Sequence, residues 1–130
     1  MIKILSYVYS KLSDDEDVSS MVGDDIFPNV VPDTNGEDQV KFPHIVMTRL
    51  TVDTTYTKTE GCKTDEATVE VLCWHTSYYE IIDLADYVRS ALEFSKGEVG
   101  DITVTSSHFV SITEGFTDVA YYQRLIFTFK

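Results

Sequence analysis

Three residue types in this chain carry the means for chemistry: cysteine at 62 and 73, histidine at 44, 75 and 108, and carboxylates in pairs. Cys62, Cys73 and His75, completed by His44 or His108, would offer zinc the sulfur and imidazole that it favours. Such a site needs converging ligands at close knuckle spacing. Here Cys62 reads as a hairpin tip and Cys73 as the apolar side of a strand, so a buried thiol and a strand-end histidine are the simpler reading. A Cys–His nucleophile pair would need a thiolate in positive surroundings, and only Lys63 adjoins Cys62. Asp14 with Asp17, or Asp65 with Glu66, could bind calcium or act as acid and base. Neither pair lies in an EF-hand loop, and the DDED run lacks the glycine that such a loop requires. There is no phosphate-cradling glycine loop, no G-x-S-x-G elbow and no dinucleotide fingerprint. No enzyme and no cofactor are expected; a zinc-dependent hydrolase built on Cys62, Cys73 and His75 is the remote alternative.

The elements that would have to position these residues centre on the stretch from Ala67 to Leu92. Ala67, Val69, Val71 and Cys73 alternate with Thr68, Glu70, Leu72 and Trp74, the period of a pleated strand. At Ser77 the pattern changes. Ser77 and Glu80 have the spacing of a capping box, and Ile81, Leu84, Ala85, Val88 and Leu92 then fall on one helical stripe, with Asp83, Asp86 and Arg89 outside it.

Earlier in the chain, Met1, Ile4, Leu5, Val8 and Leu12 repeat those helical offsets. Ser13 is placed to cap a second short helix whose carboxylates lie near the positive end of its dipole, and Gly23 to close it. Between Lys11 and Lys41 there is no basic residue, whereas Asp14, Asp15, Glu16, Asp17, Asp24, Asp25, Asp33, Glu37 and Asp38 all occur there. DDIFPNVVP reads as an edge segment bounded by prolines, and DTNGEDQVK as a surface loop. PHIVMTRLTVDTTYTKT and the strand ending at Trp74 form a hairpin. Its outer part, Asp53 to Glu66, is rich in threonine and poor in large apolar side chains, so it should project beyond the sheet. Gly97 and Gly100 mark the exit from the long helix. DITVTSSHFVSI and TDVAYYQRLIFTFK form a second hairpin around Glu114 and Gly115, with Leu125, Phe127 and Phe129 facing inward.

A chain of 130 residues suits one domain, 1–130, with a core that buries roughly two-thirds of the unfolded surface. The expected class is α+β: an antiparallel sheet of about four main strands, two helices on one face, and a projecting hairpin. A net charge of −12 argues against a nucleic-acid groove or an anionic membrane surface, which leaves protein as the expected partner. Two cysteines fit a reducing cytosol, and neither a signal peptide nor a membrane span is expected.

Taken in order, MVGDDIFPNVVP, FPHIVMTRL, VEVLCWHTSYYEIIDLADYVRSAL and YYQRLIFTFK resemble the tail-completion, or tail-terminator, proteins of long-tailed bacteriophages. The resemblance spans most of the chain. It implies an α+β fold without catalysis or cofactor, and a homo-oligomeric ring, commonly a hexamer, at the head-proximal end of the virion tail. Such a ring stops tube growth, joins head to tail, and contacts the tail tube protein and the neck connector proteins. DNA passes through it without specific binding, no membrane is involved, and assembly takes place in the host bacterial cytoplasm. A neck connector or minor tail adaptor of the same fold is the alternative. With this resemblance, Tyr56 and Lys58 on the arm and Trp74, Tyr78 and Ile82 on the central stretch become the expected subunit interface. Asp14, Asp15, Glu16 and Asp17 become an acidic patch on the lumen or rim.

Overall fold

The computed structural model describes residues 1–31, 41–56 and 63–130. Three helices, α1 (Ile4–Asp14), α2 (Glu16–Val22) and α3 (Tyr78–Leu92), lie on one face of a five-stranded sheet. The sheet order is β1-β2-β3-β7-β6, with β1 at Ile26–Pro28, β2 at His44–Tyr56, β3 at Lys63–His75, β6 at Ser107–Phe116 and β7 at Tyr121–Phe129. Two further strands, β4 (Gly97–Val99) and β5 (Ile102–Val104), form a separate ribbon.

The two periodic patterns of the central stretch set the core. Ala67, Val69, Val71 and Cys73 are buried beneath the helices, and so are Ile81, Leu84, Ala85, Val88 and Leu92 of α3. Leu125, Phe127 and Phe129 join them from β7. Ile4, Val8 and Leu12 of α1 complete the layer, with Tyr7, which the apolar spacing alone did not single out. The Tyr7 ring is wholly enclosed because its hydroxyl finds a partner: it donates to Ser95 Oγ at 2.9 Å, and Ser107 Oγ, 3.1 Å beyond, donates to the Leu92 carbonyl at 2.6 Å. This chain of hydroxyls ties α1, the end of α3 and the start of β6 together.

The α+β class holds, but its details differ from the expected four strands and two helices. The DDIFP segment is an edge strand, as its prolines suggest, yet β1 runs parallel to β2, with Ile26 opposite Ile45 and Pro28 opposite Met47. Three residues are too few to show a period in sequence. Ser13 lies inside α1 rather than capping α2. Asp15 is the cap, its Oδ1 accepting from the N–H groups of Asp17 and Val18, both at 3.0 Å.

DITV does not continue into SSHFVSI. Gly100, with φ 57°, turns the chain back after Val99, and β5 pairs with β4, Gly97 lying opposite Val104. The turn out of α3 is made instead at Phe94, φ 61°. The second hairpin turns at residues 117–120, where Thr117 N–H donates to the Ala120 carbonyl at 2.9 Å, and not at Glu114 and Gly115. Gly115 is a strand residue. A Cβ there would collide with the Tyr122 ring, so the glycine marks a close approach and not a turn.

The β2–β3 hairpin continues past the end of β7, which stops opposite Ala67. Among the described residues Asp53 to Tyr56 therefore pair only with Lys63 to Glu66, and they form the root of a projecting arm.

Candidate functional site

The expected interface residues that are described, Tyr56, Trp74, Tyr78 and Ile82, are carried by the elements above and mark three separate surfaces. Trp74 alternates with the buried Cys73 and so points to the face of the sheet without helices. There it belongs to an aromatic row. Phe27 of β1, His44 of β2, Trp74 of β3 and Tyr122 of β7 follow one another with ring centroids 6.4, 6.3 and 5.0 Å apart. His44 is buried and stacked on Trp74, and its Nδ1–H donates to the Lys41 carbonyl at 2.9 Å. Burial lowers its pKa below the ordinary 6.5, against the raising effects of that carbonyl and of the Asp25 carboxylate. Arg124 and Glu70 close the row with an ion pair at 2.9 Å.

Tyr78 and Ile82 lie on the opposite, helix-bearing side. The structure therefore does not bring them together with Trp74. The helices cover β2, β3 and β7, and the end of α3 also meets the start of β6; the rest of that edge strand is left with an open groove of about 180 Å³ between it and α3. Its walls include Ile82, Ala85 and Asp86 from α3 and Phe109, Ile112 and Leu125 from the strands. Ile82 is 41% and Ile112 44% exposed. Arg89 lies over the Phe109 ring, 4.1 Å from its centroid, and its Nε binds Glu93 at 2.6 Å. At the other end Tyr78 stacks edge-on with Tyr121 and donates to Glu114 Oε2 at 3.1 Å, a bond that raises the Tyr78 pKa.

The start of α3 is held by a residue that sequence reasoning left idle. Ser77 stands at the cap position, yet its hydroxyl makes no capping bond. His75 takes over the role assigned to Glu80: its Nδ1 accepts from Ser77 N–H at 2.9 Å, and its Nε2 engages the Glu80 carboxylate itself, at 2.8 Å from Oε2. The imidazole reaches back from the strand end over the two-residue link and displaces the expected Ser77–Glu80 pairing.

Tyr56 is the last described residue on its side of the arm and is 75% exposed. Lys58 and Cys62 lie outside the described residues. Of the acidic run, Asp14, Glu16 and Asp17 are exposed, whereas Asp15 is engaged as the helix cap.

The sulfur and imidazole ligands among the described residues are not gathered. Cys73 and His75 face the helices, with the Cys73 thiol pushed far up by full burial, while His44 and His108 lie on the other face of the sheet. Among the described residues no three His, Cys, Asp or Glu side chains are grouped to hold a metal ion. Among them too, no helix is long and apolar enough to cross a membrane.

A family model described as "Tail completion protein gp17" matches residues 6–130. Among solved structures the chain is similar to one in the "Virion of native gene transfer agent (GTA) particle", with a TM-score of 0.75 at 13% identity over 96% of this chain and 92% of that one. At that identity the likeness is one of fold. No curated protein matches the chain.

Proposed function

Since the chain belongs to the tail completion protein gp17 family and is thus a structural component of a phage-like tail, we propose that it forms a homo-oligomeric ring, six-membered in the simplest case. The ring sits at the head-proximal end of the tail, terminates the tube and joins it to the neck. The observation that carries this reading is the β2–β3 arm. Among the described residues its outer part pairs with no third strand, and it bears an exposed tyrosine, one of the residue types enriched in buried contacts between chains. An arm of this kind is accounted for if it packs on a neighbour.

The charge fits a passage for DNA. Acidic walls repel phosphates and keep the polymer from adhering, and Asp14, Glu16 and Asp17 are the exposed carboxylates proposed to face the lumen or rim. The partners under this reading are further copies of the chain, the tail tube protein and the neck proteins; DNA passes without being bound, and assembly occurs in the host cytoplasm. Adding the purified protein to polymerising tube subunits tests termination. Tubes should stop elongating and carry one blunt, capped end by electron microscopy. An unchanged length distribution with bare ends would overturn the assignment and favour the adaptor role in the neck.

A further inference from the structure

We propose that the groove between α3 and β6 of one copy receives the β2–β3 arm of the next, with Tyr56 seated among Ile82, Phe109 and Ile112 and Lys63 facing Asp86. This deepens the ring reading and rests on it, by naming the surface that the arm occupies.

The occupant is argued from shape and charge. Tyr56 and Lys63 are directly opposite in the antiparallel register, so an aromatic ring and an ammonium project side by side from one face of the arm. The groove offers the matching pair. Its floor is apolar, with Ile82 and Ile112 each more than two-fifths exposed, and Asp86 stands on its rim. Neither Asp83 nor Asp86 forms an ion pair among the described residues; Arg89, one turn from Asp86, is committed to Glu93 through Nε and Nη2. In a chain of net charge −12, a lysine next to an exposed aromatic ring is a scarce feature, and a carboxylate rim is the surface that it suits.

The arm cannot serve its own groove. β7 lies between β3 and β6, and the arm leaves the sheet beyond Phe129, away from the groove. A symmetric arm-to-arm contact is also disfavoured, because the face that carries Tyr56 otherwise bears Thr54, Lys63 and Asp65 and offers the ring no apolar pocket. What remains is a contact between two unlike surfaces of successive copies, the type that closes into rings when the rotation permits.

The test is self-association measured by light scattering and sedimentation for the full chain and for Tyr56→Ala, Ile82→Asp, Lys63→Glu, Asp86→Lys and the Lys63→Glu, Asp86→Lys double variant. All four positions are on the surface, and unchanged circular dichroism and unfolding midpoints check that the fold persists. Tyr56→Ala and Ile82→Asp should each weaken association by roughly tenfold. Each charge reversal should weaken it by about two- to five-fold, and the double variant should recover it. If the unaltered chain forms rings and the groove variants do so equally well, the arm has a different receiver and the ring reading stands. If the unaltered chain remains monomeric at every concentration and salt, both readings fall. If Ile82→Asp forms rings but no longer caps tubes, the groove receives the tube protein and the arm-in-groove contact is overturned.

Discussion

His75 fastens the first turn of α3 from outside the helix, through the Ser77 N–H and the Glu80 carboxylate. Replacing it with Ala leaves a part-buried N–H without its acceptor, so His75→Ala should lower stability in urea unfolding by about 1–2 kcal/mol. Ser77→Ala removes a hydroxyl that caps nothing and should stay within about 0.5 kcal/mol; equal losses for the two would contradict this geometry. His44 gives the chain a pH dependence of definite sign. Its folded-state pKa lies below the unfolded value of 6.5, so the unfolded chain takes up the proton first as pH falls. The stability it contributes is complete above about 6.5 and is lost as pH drops towards the lowered folded value. Glu93, held down by Arg89, loses its contribution only below its ordinary 4.5 and leaves that window clear. The urea midpoint should therefore fall between pH 7.5 and 5.5, and His44→Phe should flatten that slope; an unchanged slope would remove His44 as its cause. Residue roles of this kind were only partly legible in the sequence. Ser77 and Glu80 have the right spacing for a capping box, but no spacing rule reveals that the histidine just before them curls back and competes.

The elements follow the apolar periods where those are long. Both faces of β3, the stripe of α3 and the inward residues of β7 could be read directly, because burial on one side alone forces a period of two or of about 3.6. Short elements escaped. β1, β4 and β5 have three residues each, and their pairing depends on a backbone turn at Gly100 and on a parallel register that no local pattern encodes. The groove was illegible for another reason, since it exists only because α3 meets β6 at the start of that strand and diverges from the rest of it. Two substitutions test the elements. Asp15→Ala should destabilise α2 by about 1 kcal/mol in urea unfolding, whereas Asp15→Ser, which keeps an acceptor, should recover most of it. Gly115→Ala forces the Tyr122 ring away from its place beside Trp74. As Trp74 is the one tryptophan of the chain, its fluorescence should shift, and an unaltered spectrum would show that the ring has not moved.

At the scale of the molecule, the net charge pointed only to protein as the partner, while the order of the motifs resembled that of tail-completion proteins, because both belong to the whole chain. Surfaces were less legible: Trp74, Tyr78 and Ile82 are outward in the sequence pattern, yet they stand on opposite sides of the sheet. Replacing Asp14, Glu16 and Asp17 with Ser should keep the fold at a cost of about 1 kcal/mol, as Glu16 and Asp17 leave the first turn of α2, but should alter ring assembly or DNA passage; infectivity and assembly equal to the unaltered protein's would remove the acidic-lumen role. Charge also governs how the ring should be observed. Subunits each carrying −12 repel one another at low ionic strength, and salt shortens that repulsion to about 8 Å at 0.15 M. The most direct test of the ring is thus the solution mass, by light scattering, as salt is raised, for the full chain and for one with residues 54–65 replaced by a short turn. The full chain should pass from monomer to a single closed oligomer, six protomers in the simplest case, while the trimmed chain stays monomeric. A full chain that remains monomeric throughout, or a trimmed chain that forms the same oligomer, would contradict the account.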